Sequence, residues 1–460
     1  MKRSTRYAIS LSLVSLYGGL ANAEPAQQTL ESSETISLDS LRIYGEPEET
    51  KSATKLDLTI FETPQIVSVI SQDQIEDFAL NEVNDLLKYV PGVTVEQVET
   101  GRTYYTARGF DIVNFQYDGI GVPFSYGLTQ GHDDTAMYEK VEVIKGASGL
   151  ITGLANPSAT INFVRKRPTD EFQASAKASY GSWNTRRVDA DISGPINDRV
   201  RGRLVVAKEK GDSYLDRYST DRDVFYGIVS ADLTDSTELT FSHSVNDHHS
   251  DGNSSGALPL FYSDGTLTDY DESTNTAPSW AQQDVKQTRS FIELEQRIGD
   301  DWAIKAMYTQ NKQEKQWNSL YLAGNPDPIT ESGLTAQASD YKAQDKEKIF
   351  DLYVSGKFEL AGREQEVVAG INVADIQLTG RSVYSSTWNY DPIGGNWSAG
   401  LTPKPVFDVY DASQQSTDID QEQDSAYFST RLRPTDRLSV LLGARTVKID
   451  QDGISYGAPQ

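Results

Sequence analysis

The side chains that most often carry chemistry are scarce in this chain of 460 residues, which has four histidines and no cysteine. Without cysteine there is no thiolate to hold a metal or attack a substrate. Two of the histidines, His248 and His249, are adjacent. On a strand they would point to opposite faces rather than converge on one ion. No nucleophile–base pair stands out. Tyrosine, in contrast, is abundant, with 24 beside six tryptophans. These side chains give rigid contact area and one hydrogen-bonding group each. They suit recognition of a large, polar, semi-rigid molecule and not bond-breaking.

The bulk numbers point the same way. A net charge of −25 argues against binding nucleic acid, whose affinity comes largely from Lys and Arg on phosphates. Aromatics at 10% argue against an acidic disordered chain. A hydrophobic content of only 37% suits a membrane barrel, where alternate residues face a wet lumen. At the start, Lys2, Arg3 and Arg6 precede an apolar run from Ala8 to Leu20 and the small-x-small triplet Ala21-Asn22-Ala23. That is the pattern of a cleaved export signal over 1–23. Its core is too short for a spanning helix, which takes about 20 apolar residues.

Three further regions are expected. Residues 24–54 are rich in Glu, Ser and Thr and read as a flexible lead-in. Residues 55–167 read as a small α/β unit. Its expected parts are a buried strand over Ile66–Ile70, a helix opened by the capping box Ser71-Gln-Asp-Gln74, and a second helix capped by Asn81. That second helix carries Val83, Leu86, Leu87 and Val90 on one face and stops at Pro91-Gly92. Strands are expected around 93–98, 104–108, 115–117 and 141–144.

Residues 168–460 read as about eleven strands joined alternately by short and long connections. The short ones fall at 194–198, 235–236, 299–300, 361–362 and 434–436, the long ones at roughly 249–282, 315–345 and 379–423. One short edge and one long edge is how outer-membrane barrels are built. Within 351–360, Leu352, Val354, Gly356, Phe358 and Leu360 would meet lipid, while Asp351, Tyr353, Ser355, Lys357 and Glu359 would meet the lumen. A soluble sandwich also alternates; the export signal and the unequal edges favour the barrel. An open sheet leaves unpaired edges that lipid does not tolerate, so a fragment or truncated product is expected.

A series of motifs then narrows the class: Thr63-Pro-Gln-Ile-Val-Ser-Val-Ile70, Arg108-Gly109-Phe110, Asp118-Gly119-Ile120, Glu139-Lys-Val-Glu-Val-Ile-Lys-Gly146, Asn156-Pro157-Ser158 and Ile161-Asn-Phe-Val-Arg-Lys-Arg167. In this order they resemble the plug of the TonB-dependent outer-membrane receptors. The resemblance implies a membrane all-β barrel of the 22-stranded type, about half of it present, with an N-terminal α/β plug inside the lumen. It implies energy-coupled uptake and no enzyme activity. Fe(III) would travel within a siderophore, with no cofactor bound by the protein. The implied partners are a ferric siderophore, TonB with ExbB-ExbD in the inner membrane, and outer-membrane lipid and lipopolysaccharide around a monomer. The segments Tyr180-Gly-Ser-Trp-Asn184, Ser213-Tyr-Leu-Asp-Arg-Tyr218 and Thr276-Ala-Pro-Ser-Trp280 look like the ferric-coprogen/rhodotorulic-acid receptor group and, more distantly, the ferripyoverdine receptors. That group implies a hydroxamate-type chelator. Cobalamin, haem or a glycan is the competing cargo, and a non-transporting surface receptor fragment the competing class.

Site residues follow from the resemblance. Leu38 to Gly45 is similar to the TonB box, with Asp39, Ser40, Leu41, Arg42, Ile43 and Tyr44 able to add a strand to another sheet. An ordinary linker is the alternative there. The short gap between the export signal and this box leaves no room for the extra periplasmic domain of receptors that also signal. The family's pocket lies between the plug's upper loops and the wall. That implies Arg102, Tyr104, Tyr105, Phe124 and Tyr126 on the plug and Trp317, Tyr321, Trp388 and Tyr390 on the wall and loops. Such aromatics also populate the girdles of any barrel. The loop 119–131 has no Arg or Lys, where a coprogen-type receptor has an Arg. Arg108 and Lys145 occupy positions at which the family seats the plug against acidic wall residues.

Overall fold

The computed structural model describes residues 49–50, 52–56, 58–122, 129–146, 157–393, 397–408, 416–456 and 458–459. The export signal and the segment 38–45 lie outside them.

The N-terminal unit begins with β1 (Glu49–Thr50) paired to β2 (Leu58–Thr59). It continues through β3 (Ile66–Ser71), α1 (Gln72–Asp77), α2 (Val83–Lys88), β4 (Val93–Glu99), β5 (Arg102–Ala107), β6 (Phe110–Asp111), β7 (Asn114–Tyr117), β8 (Ile120–Val122), β9 (Thr129–Gln130), β10 (Tyr138–Lys145) and β11 (Ala159–Arg165). Five strands form one sheet in the order β3-β10-β11-β7-β8, and β4, β5, β6 and β9 form another. The capping box is present at α1: Gln74 N donates to Ser71 Oγ at 3.3 Å and Ser71 N donates to Gln74 Oε1 at 3.2 Å. Such a cap contributes about 1 kcal/mol.

Two expectations change here. The N-cap of α2 is Glu82, not Asn81, and its side chain makes no cap. The carboxylate turns instead to His132, and the carbonyl of Asp133 accepts from Val83 N at 2.9 Å, so a tertiary contact satisfies the helix start. The strand at Ile66–Ile70 is an edge strand and not a buried one: Ile70 is buried, but Ile66 is 61% exposed.

The remainder is a single antiparallel meander. It comprises β12 (Gln173–Tyr180), β13 (Arg186–Asn197), β14 (Val200–Asp212), β15 (Ser219–Thr234), β16 (Thr237–Asp251), β17 (Gln282–Ile298), β18 (Trp302–Ala323), β19 (Thr335–Leu360), β20 (Arg363–Pro392), β21 (Ser416–Thr435), β22 (Leu438–Ser455) and the two-residue β23 (Ala458–Pro459). Short turns hold one edge together, although those expected at 194–198 and 434–436 fall at 198–199 and 436–437, the strands running further than expected. At 361–362 both residues have positive φ, 56° and 74°, the geometry of a two-residue hairpin whose twist matches its strands. At the other edge the strands outrun expectation. The β18–β19 ladder runs to Ala323–Thr335, so the connection is 324–334 and not 315–345. Likewise β20 persists to Pro392.

The two faces of this sheet are inverted relative to a soluble one. Val188, Ile192, Phe225, Phe241, Ile292 and Phe350 are exposed on the outside. Arg187, Arg222, Arg289, Glu293, Glu347 and Asp351 are buried on the inside. An apolar exterior over a polar interior suits a wall between hydrocarbon and a filled lumen. The N-terminal unit fills that interior. Its core of Leu86, Leu87, Ile112, Val141, Val143 and Ile161 is continuous with Val224, Tyr226, Phe291, Met307 and Ile349 from the wall. It is therefore a plug against the concave face.

Candidate ligand pocket and the seat of the plug

The turn between β4 and β5 carries the plug to the edge with the long connections. Thr100 Oγ1 accepts from Ser254 N at 3.0 Å and from Asn253 Nδ2 at 3.4 Å. Glu99 accepts from Gly256 N at 2.7 Å. This tip and the wall enclose a pocket of about 230 Å3, lined by Glu99, Gly101 and Arg102 from the plug and by Trp317, Tyr341, Tyr384 and Tyr456 from the wall, among others.

Two sequence-derived candidates meet in it. Arg102 forms a bidentate pair with Glu99, at 2.5 and 2.6 Å. The hydrogen bonds it donates to Glu99 hold the guanidinium pKa above its ordinary value, against burial. Arg102 remains partly exposed, so its remaining donors face the pocket. Trp317 stacks on Tyr341 across the β18–β19 pair, with ring centroids 3.9 Å apart and planes 23° from parallel. The two rings form an apolar platform with polar rims.

The other candidates divide. Tyr104 shares the Arg102 face of β5 but does not line the pocket. Tyr105 points the other way, as alternation requires, and is 4% exposed. Its hydroxyl donates to Asn84 Oδ1 at 2.6 Å, and burial pushes its pKa far up. It belongs to the plug core, which corrects the ligand-contact expectation. Tyr321 is turned out of the pocket, its ring beside Gly256. Phe124 and Tyr126 lie outside the described residues, as does the box Asp39–Tyr44. The backbone of Trp388 and Tyr390 belongs to β20; their side chains lie outside the described set. Glu99, Tyr341, Tyr384 and Tyr456 were missed. Only Tyr341 carried a signal, an aromatic at a cross-strand position that becomes visible once the register is known.

Arg108 and Lys145 do not seat the plug against this part of the wall. Arg108 has φ of 56°, which turns its guanidinium back to within 3.0 Å of the space beside Gly146. Lys145 donates to Ser68 Oγ at 3.0 Å, and burial together with Arg108 lowers its pKa. Among the described residues neither reaches a carboxylate. Other charges do the seating. Arg187 and Arg222 from the wall reach Asp134 of the plug at 2.7 and 2.8 Å. Lys166 and Arg167 of the plug reach Asp191 and Glu293 of the wall at 3.0 and 3.1 Å. The Arg289 guanidinium lies 3.3 Å over the Tyr117 ring. Lys55 reaches Asp351 at 2.6 Å beneath the rings of Tyr353 and Tyr427. These partners stand at inward positions of alternating strands, which is the signal that could have found them.

His248 and His249 point apart, as alternation requires. His248 points inward and is 1% exposed, whereas His249 bonds to Asp284 on its neighbouring strand at 2.7 Å. Among the described residues no group of three or more His, Asp or Glu could hold a metal ion.

Comparison with known proteins bears on this arrangement. Residues 59–160 match the TonB-dependent Receptor Plug Domain. The chain is 34% identical over 470 residues to the ferric-pyoverdine BN7/BN8 receptor of Pseudomonas putida, covering 96% of this chain and 57% of that protein. It is 35% identical to the ferripyoverdine receptor of Pseudomonas aeruginosa, covering 89% and 51%. The crystal structure of the outer-membrane ferripyoverdine receptor of Pseudomonas aeruginosa bound to ferripyoverdine superposes with a TM-score of 0.83 at 33% identity, over 90% of this chain and 55% of that one. The chain thus spans a little over half the length of the relatives it matches.

Proposed function

We propose that the chain is one of the TonB-dependent outer-membrane receptors and that it forms the plug and one side of the wall of a receptor for energy-coupled uptake of a ferric siderophore. The cargo is a pyoverdine or another chelator of hydroxamate type. The observation that carries this reading is the pocket between the plug tip and the Trp317–Tyr341 stack, at the edge with the long connections. The rings take the organic shell of a ligand that arrives with its iron already held, and Arg102 donates to its oxygens. The relatives named for ferric pyoverdine support the cargo class.

Ligand acts on the plug only by preferring one arrangement of the tip 99–102. The segment Asp39–Tyr44 then adds as a strand to TonB, which with ExbB-ExbD draws on the inner-membrane proton gradient. Tension along the chain then reaches the stretch 50–62, the first among the described residues to be held to the wall. The export signal is removed after Ala23 on translocation, and the receptor sits as a monomer in outer-membrane lipid and lipopolysaccharide.

The test is radioiron uptake by a receptor-deleted host carrying the full-length gene. Uptake from ferric pyoverdine, lost when the proton gradient is collapsed or Asp39–Tyr44 is deleted, is the expected result. Growth on another iron source with no uptake from ferric pyoverdine or ferric hydroxamates overturns the cargo. Gradient-independent uptake overturns the coupling.

A further inference from the structure

Beneath the pocket tip sits a histidine whose two ring nitrogens both face acceptors. His132 follows Gly131, whose φ of 75° turns the chain inward and whose position leaves a Cβ only 3.0 Å from Val285. On one side His132 Nδ1 meets the Glu82 carboxylate. On the other, Nε2 lies 3.0 Å from the Thr100 carbonyl and 3.2 Å from Tyr218 Oη. The Tyr218 hydroxyl donates to the same Thr100 carbonyl at 3.3 Å, so it offers Nε2 a lone pair. A neutral imidazole has one N–H and can serve only one of these sides, whereas the imidazolium serves both. The site is closed, with the His132 side chain 10% exposed.

We propose that His132 is an imidazolium clasp that ties the pocket floor at Thr100 to Glu82 of the plug, so that the floor loosens and ligand capture weakens when the second ring proton is lost. The link to capture rests on reading the pocket as the siderophore site; the clasp itself does not.

The surrounding charges are consistent with this state. Burial favours the neutral ring, yet Glu82 outweighs it and the His132 pKa stands above its ordinary 6.5. Arg222, from β15, opposes at a distance, its guanidinium 3.8 Å from Glu82 and 2.8 Å from Asp134. From β16, His248 packs its ring 4.8 Å from His132. Asp133, on the same segment as His132, bonds Asn246 at 3.0 Å, and burial raises its pKa. Asn84 completes the Glu82 carboxylate at 2.6 Å. In consequence the tip is held at and below the ordinary histidine range and released as pH rises past the raised value.

Two readouts on the full-length receptor in detergent test the clasp. Nitrogen-15 histidine spectra, with His132→Gln marking the resonance, should show both His132 nitrogens protonated at pH 6.5. Amide exchange over 99–105, corrected for its intrinsic pH dependence, should lose protection in the wild type as pH rises above the ordinary histidine range. Glu82→Gln should move that loss to lower pH, a shift that simple loss of structure does not give. Ferric pyoverdine affinity should fall about threefold to tenfold over the same range, the scale of one ordinary net hydrogen bond. A neutral tautomer at pH 6.5, or exchange that ignores both pH and Glu82→Gln, overturns the clasp. Failure of ferric pyoverdine to bind at any pH overturns the cargo reading, while spectra and exchange still decide the clasp.

Discussion

Lys55 Nζ lies 2.6 Å from Asp351 Oδ1, and the side chains are 7% and 3% exposed. The pair joins the entry of the plug to the middle of β19, 296 residues away. Around it, Ser429 Oγ donates to the Thr54 carbonyl at 2.8 Å, Asn162 Nδ2 donates to Ser52 Oγ at 2.6 Å, and Arg431 pairs with Glu62. Removing one partner of a buried pair leaves a desolvated charge, which costs about 3–5 kcal/mol. Asp351→Asn is therefore expected to free the stretch 50–62, read as faster amide exchange there with the wall unchanged. The double variant Lys55→Met, Asp351→Asn should lie closer to wild type, because no charge is stranded.

The aromatic platform of the wall and the tyrosine in the plug core make separable predictions. Trp317→Ala removes half of the stacked platform and should weaken ferric pyoverdine binding about 10- to 100-fold, in the range of aromatic hot spots. Tyr105→Phe removes only the hydroxyl bonded to Asn84. It should leave affinity unchanged and lower plug stability by about 1 kcal/mol. Fluorescence quenching titrations and thermal melts of the two variants separate the roles.

Two glycines with similar backbone angles should respond differently. Gly256 has φ of 78°, and a Cβ there would sit 2.6 Å from the Tyr321 ring. Gly265 has φ of 84° with open space around it. Gly265→Ala should cost about 1 kcal/mol of backbone strain. Gly256→Ala adds a clash and should expose the 252–281 connection to protease, seen as cleavage of the intact receptor.

Acid should loosen the seat late. Burial pushes the Glu82 pKa up, but His132 and Arg222 outweigh it and hold it at about 2. Burial likewise opposes Asp118 and Asp134, and Arg165 with Arg167 and Arg222 with Arg187 hold these two below their ordinary 3.8. A depressed folded value means stability present above the unfolded value and lost as pH falls through the folded one. Plug docking should thus persist through pH 4.5 and fail as pH approaches about 2. Pepsin sensitivity of the plug, followed from pH 4 downward, checks the window.

Periodicity carried the wall, the plug elements and the inward placement of Asp351 and Tyr353, because alternation is written into each strand. It lost the upper ends of β18 to β20, where the alternating apolar positions, Leu320 and Leu322 on β18 and Ala336 and Ala338 on β19, are few and set among polar residues. The pocket was half legible. Arg102 and Trp317 lie in it, but Glu99, Tyr384 and Tyr456 come from three distant elements whose convergence depends on register. Tyr105 was misplaced because adjacent residues on one strand cannot both face a ligand. Arg108 meets no carboxylate among the described residues, and sequence alone gave no sign of the left-handed backbone from which its side chain starts.

Where the boundary between plug and wall is ionic and not apolar, that character has a mechanical meaning. Grease on grease resists separation throughout, since water gains nothing by entering. Carboxylates and guanidinium groups can instead be handed over to water one at a time, each re-solvated as it is uncovered. A stopper held in this way can be drawn along its socket in small steps and can settle back when the pull ends.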